Sequence, residues 1–365
     1  EWAGEQTLER DGVFALQGWA PVARLTEVQS LVRQRGLALL VEEPSPWDQP
    51  PTLLDNPEPL AGGQEVVAFY QMPGYRAWDP SPVIFLSFAL FFAMILADAG
   101  YALLLGLVLL ALGRRLAASI AGRRVKRMGW AIVALSLVYG MLSGGYFGFA
   151  APPDSLLARV DILDLDDFDA MMHLSVAVGV LHLLAANGLL AWRERHGLHA
   201  LAPLGWIGVL TGGYGWWQGA AFGPWLVGSG VGLVLLFSAR GKPLTGRDWL
   251  WRALTGLQAL TGLSRAFGDV LSYLRLFALG LASASLAVTF NQLAFDTAAR
   301  VPGLGVLLAG LILLIGHLLN FTLCVVSGVV HGLRLNLIEF YNWGISEEGY
   351  PFKAFARQES EPWKH

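Results

Sequence analysis

Apolar residues along this chain gather into runs far longer than the core of a soluble helix needs. They dominate about 83 to 112, 127 to 149, 170 to 192, 201 to 219, 223 to 239, 266 to 297 and 303 to 343. Each run is near or above the roughly 20 residues that a helix needs to cross a bilayer core. The first 80 residues read differently. Val13 to Trp19 has the pattern of a short strand, Leu25 to Gly36 that of an amphipathic helix, and Leu37 to Glu43 that of a second strand. Pro44 to Pro59 is rich in Pro, Asp and Asn, which sustain neither kind of backbone ladder. The expected organisation is a fragment of a small α+β soluble domain with its linker over 1–80, a helical membrane domain over 81–345 and a tail over 346–365.

Seven apolar runs predict seven crossings, but charge argues for eight. Arg114, Arg115, Arg123, Arg124, Lys126 and Arg127 form one basic cluster, Arg193, Arg195 and His196 a second, and Arg240, Lys242 and Arg247 a third. Such clusters favour the cytoplasmic side. The loop 150–169 instead holds Asp154, Asp161, Asp164, Asp166, Asp167 and Asp169 against the single Arg159. The parity closes if the first run is two short helices folded at Asp98-Ala99-Gly100, where Asp and Gly supply turn chemistry. The fold class expected is therefore an all-α polytopic membrane protein whose eight helices cover 83–97, 100–113, 127–149, 170–192, 201–219, 223–239, 266–297 and 303–343, with both termini cytoplasmic. Residues 247–264, with Trp249, Trp251 and Leu254 beside Arg247, Asp248 and Arg252, suit a helix lying at the interface.

Composition supports the bilayer as the main solvent: the chain is 55% hydrophobic and only 15% charged, where soluble domains are about a quarter charged. A net charge of −3 offers no electrostatic footprint for nucleic acid. Cys324 is the single cysteine, so neither an internal disulfide nor a cysteine metal cluster is expected. No motif of the P-loop type is present, so no nucleotide-phosphate cradle is expected in this chain. No metal, cofactor or catalytic residue is expected.

The last two apolar runs are too long for a perpendicular crossing. Roughly 32 and 40 residues make about 48 and 60 Å against a core near 30 Å, so both helices must tilt or project. The first carries small residues, Ala278, Gly280, Ala282, Ser283, Ala284, Ser285 and Ala287, which permit close helix approach, either within the subunit or to a partner. It also carries Arg275 among apolar neighbours, at a cost of about 2.5–3.5 kcal/mol that demands a partner or a role. The second carries His317, Asn320, Cys324, Ser327, His331 and Arg334 at spacings of 3, 4, 3, 4 and 3, one polar face about 26 Å long. An antiparallel hairpin turning at Val301-Pro-Gly-Leu304 brings Arg275 level with Arg334, Asp269 with Glu339, and Asn291 and Gln292 with His317. Simple polar glue between helices accounts for single members of this pattern less demandingly than for the whole stripe.

The segment Gly268-Asp-Val-Leu-Ser-Tyr-Leu-Arg-Leu-Phe-Ala-Leu-Gly-Leu-Ala282 resembles the signature of the membrane subunit a/I of V-type and archaeal-type rotary ATPases, in its prokaryotic form. His331-Gly-Leu-Arg334 followed by Glu339-Phe-Tyr is similar to the family's second arginine motif, Ala97-Asp-Ala-Gly-Tyr101 to its first-hairpin turn, and Gly18-Trp-Ala-Pro21 to the end of its soluble arm. The sequence has Cys324 where eukaryotic members carry an acid, and it departs from the family's pattern with Ser283 in place of a histidine and Ala97 in place of the glycine before Asp98. The resemblance implies a static, non-catalytic subunit in a prokaryotic plasma membrane, holding two aqueous half-channels beside a rotating ring of c/L proteolipid subunits, with E/G-type peripheral-stalk and central-stalk subunits reached through the soluble arm. It carries the two ion-translocating arginines over to Arg275 and Arg334. On the hairpin alignment Asp269 and Glu339 would line the cytoplasmic half-channel, and Asp98, His317, Asn320, Asn291 and Gln292 the outer one. Cys324, Ser327 and His331 complete the polar stripe. Two rivals stand beside this expectation: a stand-alone secondary transporter, which calls for inverted repeats, and a purely structural stator anchor.

Overall fold

The computed structural model describes residues 7–10, 13–239, 249–345 and 347–354, with side chains from 15 to 239, 254 to 345 and 347 to 354. Arg240, Lys242 and Arg247 of the third basic cluster, and most of the tail 346–365, lie outside the described residues. The chain divides into two compact units. One comprises 1–53, 72–77 and 347–365, the other 54–71 and 78–346.

In the first unit, β1 (Thr7–Arg10) pairs antiparallel with β2 (Val13–Leu16), and α1 (Leu25–Gln34) follows. Gly36, in a left-handed conformation at φ 64°, ends the helix region. Residues 37–43, expected as a strand, are irregular and exposed. Their apolar run lacks alternation, and no strand among the described residues offers them a ladder. The segments around Thr52, Pro73 and Tyr350 are stitched by backbone bonds, Thr52 N to Tyr350 O at 2.8 Å and Gly349 N to Met72 O at 2.9 Å.

The second unit is helical. α2 (Gly62–Tyr70) packs on α3 (Ser81–Leu96) and α5 (Ile120–Leu142). The first apolar run does break where turn chemistry was expected. Ala97 takes a left-handed φ of 46°, and the Asp98 side chain caps α4 (Ala99–Leu116) by accepting from Tyr101 N at 2.9 Å. α3 and α4 each pack chiefly against α5. Helix α5 differs from the expected 127–149. It starts at Ile120, capped by Ser119, so much of the basic cluster is helical, and it stops at Leu142. Gly144 and Gly148, with φ of 65° and 72°, turn 143–149 back over Asp98, and Ala99 N donates to Gly145 O at 2.7 Å.

A short α6 (Leu156–Val160) interrupts the acidic loop before α7 (Phe168–Arg193). α8 (Leu201–Trp217) and α9 (Gly223–Phe237) meet through glycines: a Cβ on Gly205 would press on Gly230 O, and one on Gly230 on Gly205 O. α10 (Trp249–Ala259) lies within the 247–264 segment expected as a separate interfacial helix, and α11 (Gly262–Ser272) and α12 (Leu274–Arg300) follow, so the single helix expected over 266–297 is interrupted at Tyr273. α13 (Gly305–Arg334) follows a turn at Gly303, φ 79°, and passes through a wide π turn (Leu335–Phe340) into α14 (Tyr341–Gly344). Among the described residues, five stretches are long and apolar enough to cross a membrane: Ala99–Leu116, Ile120–Leu142, Phe168–Arg193, Leu254–Arg300 and Gly305–Gly344. Ser81–Leu96 and Gly223–Phe237 are shorter apolar helices. The main core gathers Phe91, Ile95, Tyr139, Leu183, Tyr273, Leu276 and Leu335 from α3, α5, α7, α12 and the turns beside them.

Candidate functional site

Along the α12–α13 hairpin, buried and half-buried polar side chains form two groups. The first lies toward its turn. Asn320 Nδ2 donates to Tyr101 Oη at 3.1 Å and to Ser283 O at 2.9 Å. Tyr101 Oη meets His317 Nδ1 at 2.8 Å, His317 Nε2 meets Asn291 Oδ1 at 2.9 Å, and Asn291 Nδ2 donates to Phe147 O at 2.8 Å. One tautomer satisfies the whole chain: Tyr101 donates to Nδ1, and Nε2–H donates to the amide oxygen, as a neutral imidazole allows. Cys324 Sγ lies 2.9 Å from Ser283 Oγ and so joins this group. Asp98, 3% exposed, accepts from Tyr101 N and, at 2.7 Å, from Phe147 N, which ties the α4 cap to the folded-back loop.

The second group lies toward the other end. Glu339, 3% exposed, accepts from Ser272 Oγ at 2.6 Å and stands 3.5 Å from Arg334 Nε. Asp269 accepts from Trp343 Nε1 at 2.7 Å. Arg275, Arg334 and His331 lie within electrostatic range of one another. Three atoms here are buried without a hydrogen-bond partner among the described residues: Arg275 Nη1, His331 Nδ1 and Glu339 Oε2. The π turn explains how Glu339 joins this group. In an α-helix five residues advance about 500°, leaving position 339 about 140° away from Arg334. A turn closed by i→i+5 bonds brings residues five apart back to a similar face. Asn336 supports that turn. Its side-chain amide donates to Gly332 O at 2.8 Å, and its oxygen accepts from Ser87 of α3.

On the side facing α3, the packing between the groups is apolar. A Cβ on Gly328 would strike the Phe92 ring, and one on Gly332 would crowd Phe88. Both rings come from α3, and they fill roughly the 10 Å that separates Cys324 from His331 along the helix.

The expected site residues thus separate into those brought together and those not. Asn291 points into the first group, whereas Gln292, one residue on, is exposed. Ser327 is half-buried between the groups. Arg334 keeps about half of its side chain exposed, at 52%. The small-residue tract of α12 is split by its own helical period. Gly280, Ser283 and Ala287 are buried within the unit, while Ala278, Ala282 and Ser285 remain exposed on the side next to the half-buried Arg275. Tyr101, Ser272, Trp343 and the His182–Tyr273 pair were not singled out from the sequence. An aromatic or serine in an apolar run carries no signal of its own partner. Among the described residues no group of three or more His, Cys, Asp or Glu is placed to hold a metal.

No protein-family model matches the chain. Curated relatives do. It is 28% identical to the V-type ATP synthase subunit I of Chlamydia muridarum over 99% of this chain and 66% of the relative. It is 31% identical to V-type ATP synthase subunit I 1 of Treponema pallidum over 97% of this chain and 60% of the relative. It is 29% identical to the A-type ATP synthase subunit I of Pyrococcus horikoshii over 94% of this chain and 54% of the relative. The chain therefore spans between about half and two thirds of the length of these proteins.

Proposed function

We propose that this chain, similar over nearly its whole length to subunits I of V-type and A-type ATP synthases, forms the static membrane part of such a motor, offering two half-channels to a ring of carboxylate-bearing subunits. One observation carries this reading: a single hairpin bears two polar groups separated by phenylalanines, and the charged group contains Arg275 with a buried Nη1 unpaired. A continuous pore through the subunit does not fit two polar groups with phenylalanine rings packed between them. Two half-paths that meet on the moving carboxylate of a partner do fit.

The physical logic concerns that carboxylate. Ionised in lipid and alone, it costs many kcal/mol, so it travels protonated or ion-bound. Opposite Arg275 it can ionise, since two unit charges at 4 Å gain about 4 kcal/mol at an effective dielectric of 20. The guanidinium does not give up its own proton. It therefore releases the carboxylate's cargo without relaying it. The exposed Ala278, Ala282 and Ser285 beside Arg275 leave room for a ring helix to approach closely. In this reading Asp98, Tyr101, Asn291, His317 and Asn320 line the outer half-channel, Asp269 and Glu339 the cytoplasmic one, and Arg334 assists Arg275. Eight helices cross, α3 and α4 counting separately, with both termini cytoplasmic. The soluble arm meets stalk subunits, and ATP chemistry resides in other subunits.

The assignment of sides is tested with single cysteines at positions 320 and 269, introduced into a Cys324→Ala background in reconstituted complexes. A membrane-impermeant thiol reagent is expected to reach 320 from outside only and 269 from the cytoplasmic side only. The reverse pattern overturns the assignment.

A further inference from the structure

We propose that His182, on α7 and outside the translocation hairpin, is the positioning residue that sets Arg275 and Glu339 relative to one another. The proposal rests on the reading of those two residues as the translocation site. The observation behind it is that both helices of the hairpin become irregular at the same level, and one side chain touches both irregularities. α12 is separated from α11 at Tyr273, two residues before Arg275. α13 widens into its π turn over Leu335–Phe340, which contains Glu339. His182 Nδ1 is 2.7 Å from Tyr273 Oη, and its ring stacks on Phe340 with centroids 4.5 Å apart and planes 14° from parallel. Phe91 of α3 closes the cluster edge-on, 5.0 Å from His182 and 5.7 Å from Tyr273.

Each contact controls a rotation. A helix break removes regular ladder bonds, so the azimuth of the helix beyond it depends on side-chain anchors. Tyr273 is fully buried, and its ring lies over Gly179, where any Cβ would collide with it. Gly179 and His182, one turn apart on α7, thus seat this ring and hold its hydroxyl. Arg275 comes two residues later, in the first turn of α12, where Leu276 N bonds back to Tyr273 O at 2.9 Å. On the other strand of the hairpin, Phe340 adjoins Glu339, so the face on which the imidazole stacks determines where the carboxylate emerges. Asn336 and Ser87 clasp the start of the same π turn from the α3 side. Removing the His182 contacts therefore frees both charged groups at once, whereas Asn336 governs only one.

The experiment is a double-mutant cycle in the intact reconstituted complex. It uses Tyr273→Phe, His182→Phe and the double variant, each read as ion transport rate per assembled complex, with the amount of assembled complex measured separately. Tyr273→Phe deletes one oxygen from a ring that Gly179 still seats, and His182→Phe keeps a stacking ring. Each single variant is expected to assemble and to lose about tenfold in coupled transport, since misplacement of a reacting group by 1 Å costs up to about 100-fold. The double variant is expected to be no worse than either single. Native transport in both singles, or losses that multiply in the double, overturns the proposal. A merely structural role would lower the amount of complex without changing the rate per complex. Should the phenylalanine variants fail to assemble, His182→Gln is expected to keep more coupled transport than His182→Leu, because glutamine retains a group for the Tyr273 hydroxyl; equal losses overturn the proposal. Arg275→Ala measured alongside separates the two levels. If it leaves transport intact, the site assignment itself fails; if it abolishes transport while the His182 and Tyr273 variants are silent, only the positioning role fails.

Discussion

At one end of the α12–α13 hairpin both ring nitrogens of His317 and both polar atoms of Asn291 have partners, and Asn320 holds a hydroxyl and a backbone carbonyl together. At the other end Arg275, His331 and Glu339 each keep a buried atom unpaired. The first group closes its hydrogen bonds on itself, with the Asp98 carboxylate held by backbone N–H groups at its edge, and is drawn from four elements. The second is charged and leaves one side open toward the exposed small residues of α12. A closed network can fix geometry and pass along a proton, but it exerts little pull on a passing charge. An unsaturated charged group does the opposite: it is expensive until something outside completes it. On the proposed function, the difference separates the end that would pull on a partner's charge from the end whose polar groups already satisfy one another.

The sharpest way to break this contrast is at Arg275. Arg275→Ala is expected to assemble and to lose at least about 100-fold in ion transport, the scale on which removal of one preorganised electrostatic group is felt. Lysine should not rescue it, because its ammonium is a compact, strongly hydrated point charge. Arg334→Lys, at a half-exposed position, should retain more transport. Flux into vesicles normalised to assembled complex measures all three, and native flux in Arg275→Ala would leave only the anchor reading standing.

A smaller effect is expected in the closed network. Tyr101→Phe leaves His317 Nδ1 and one bond of Asn320 without a partner, a loss of about 1–2 kcal/mol. Thermal unfolding of the purified complex checks it. An unshifted transition would show that Tyr101 is not the hub of the network.

The smallest effect is expected one residue from that network. Gln292→Ala, on the exposed face of α12, should change stability by no more than about 0.5 kcal/mol. Asn291→Ala, which removes the partner of both His317 and Phe147 O, should cost more by the same assay. Equal effects would mean that the face of α12 is wrongly assigned.

Much of the helical layout was legible because its signals are local. Long apolar runs, the Asp98 turn, the Pro302-Gly303 turn and the α13 stripe each depend on neighbours within a few residues, and the structure has breaks and faces at those places. The end of α5 was not legible. Gly144, Gly145 and Gly148 sit in a run whose apolar character continues, and only the match of that loop to Asp98 turns it back. The π turn was hidden for a similar reason. Leu335–Phe340 contains neither proline nor glycine, so nothing local announces it.

By itself the sequence determined the apolar segments, the polar periodicity of α13 and the presence of arginine where apolar neighbours make it costly. Only the tertiary structure decided that Asn291 rather than Gln292 meets His317, that Glu339 rotates onto the face of Arg334, that Tyr101 joins the first group, and that His182 meets Tyr273 and Phe340 beside the second. The physical reason is that periodicity states which residues share a face of one helix. Which faces meet, and where a helix must leave its regular turn to let them meet, depends on packing between segments tens to hundreds of residues apart.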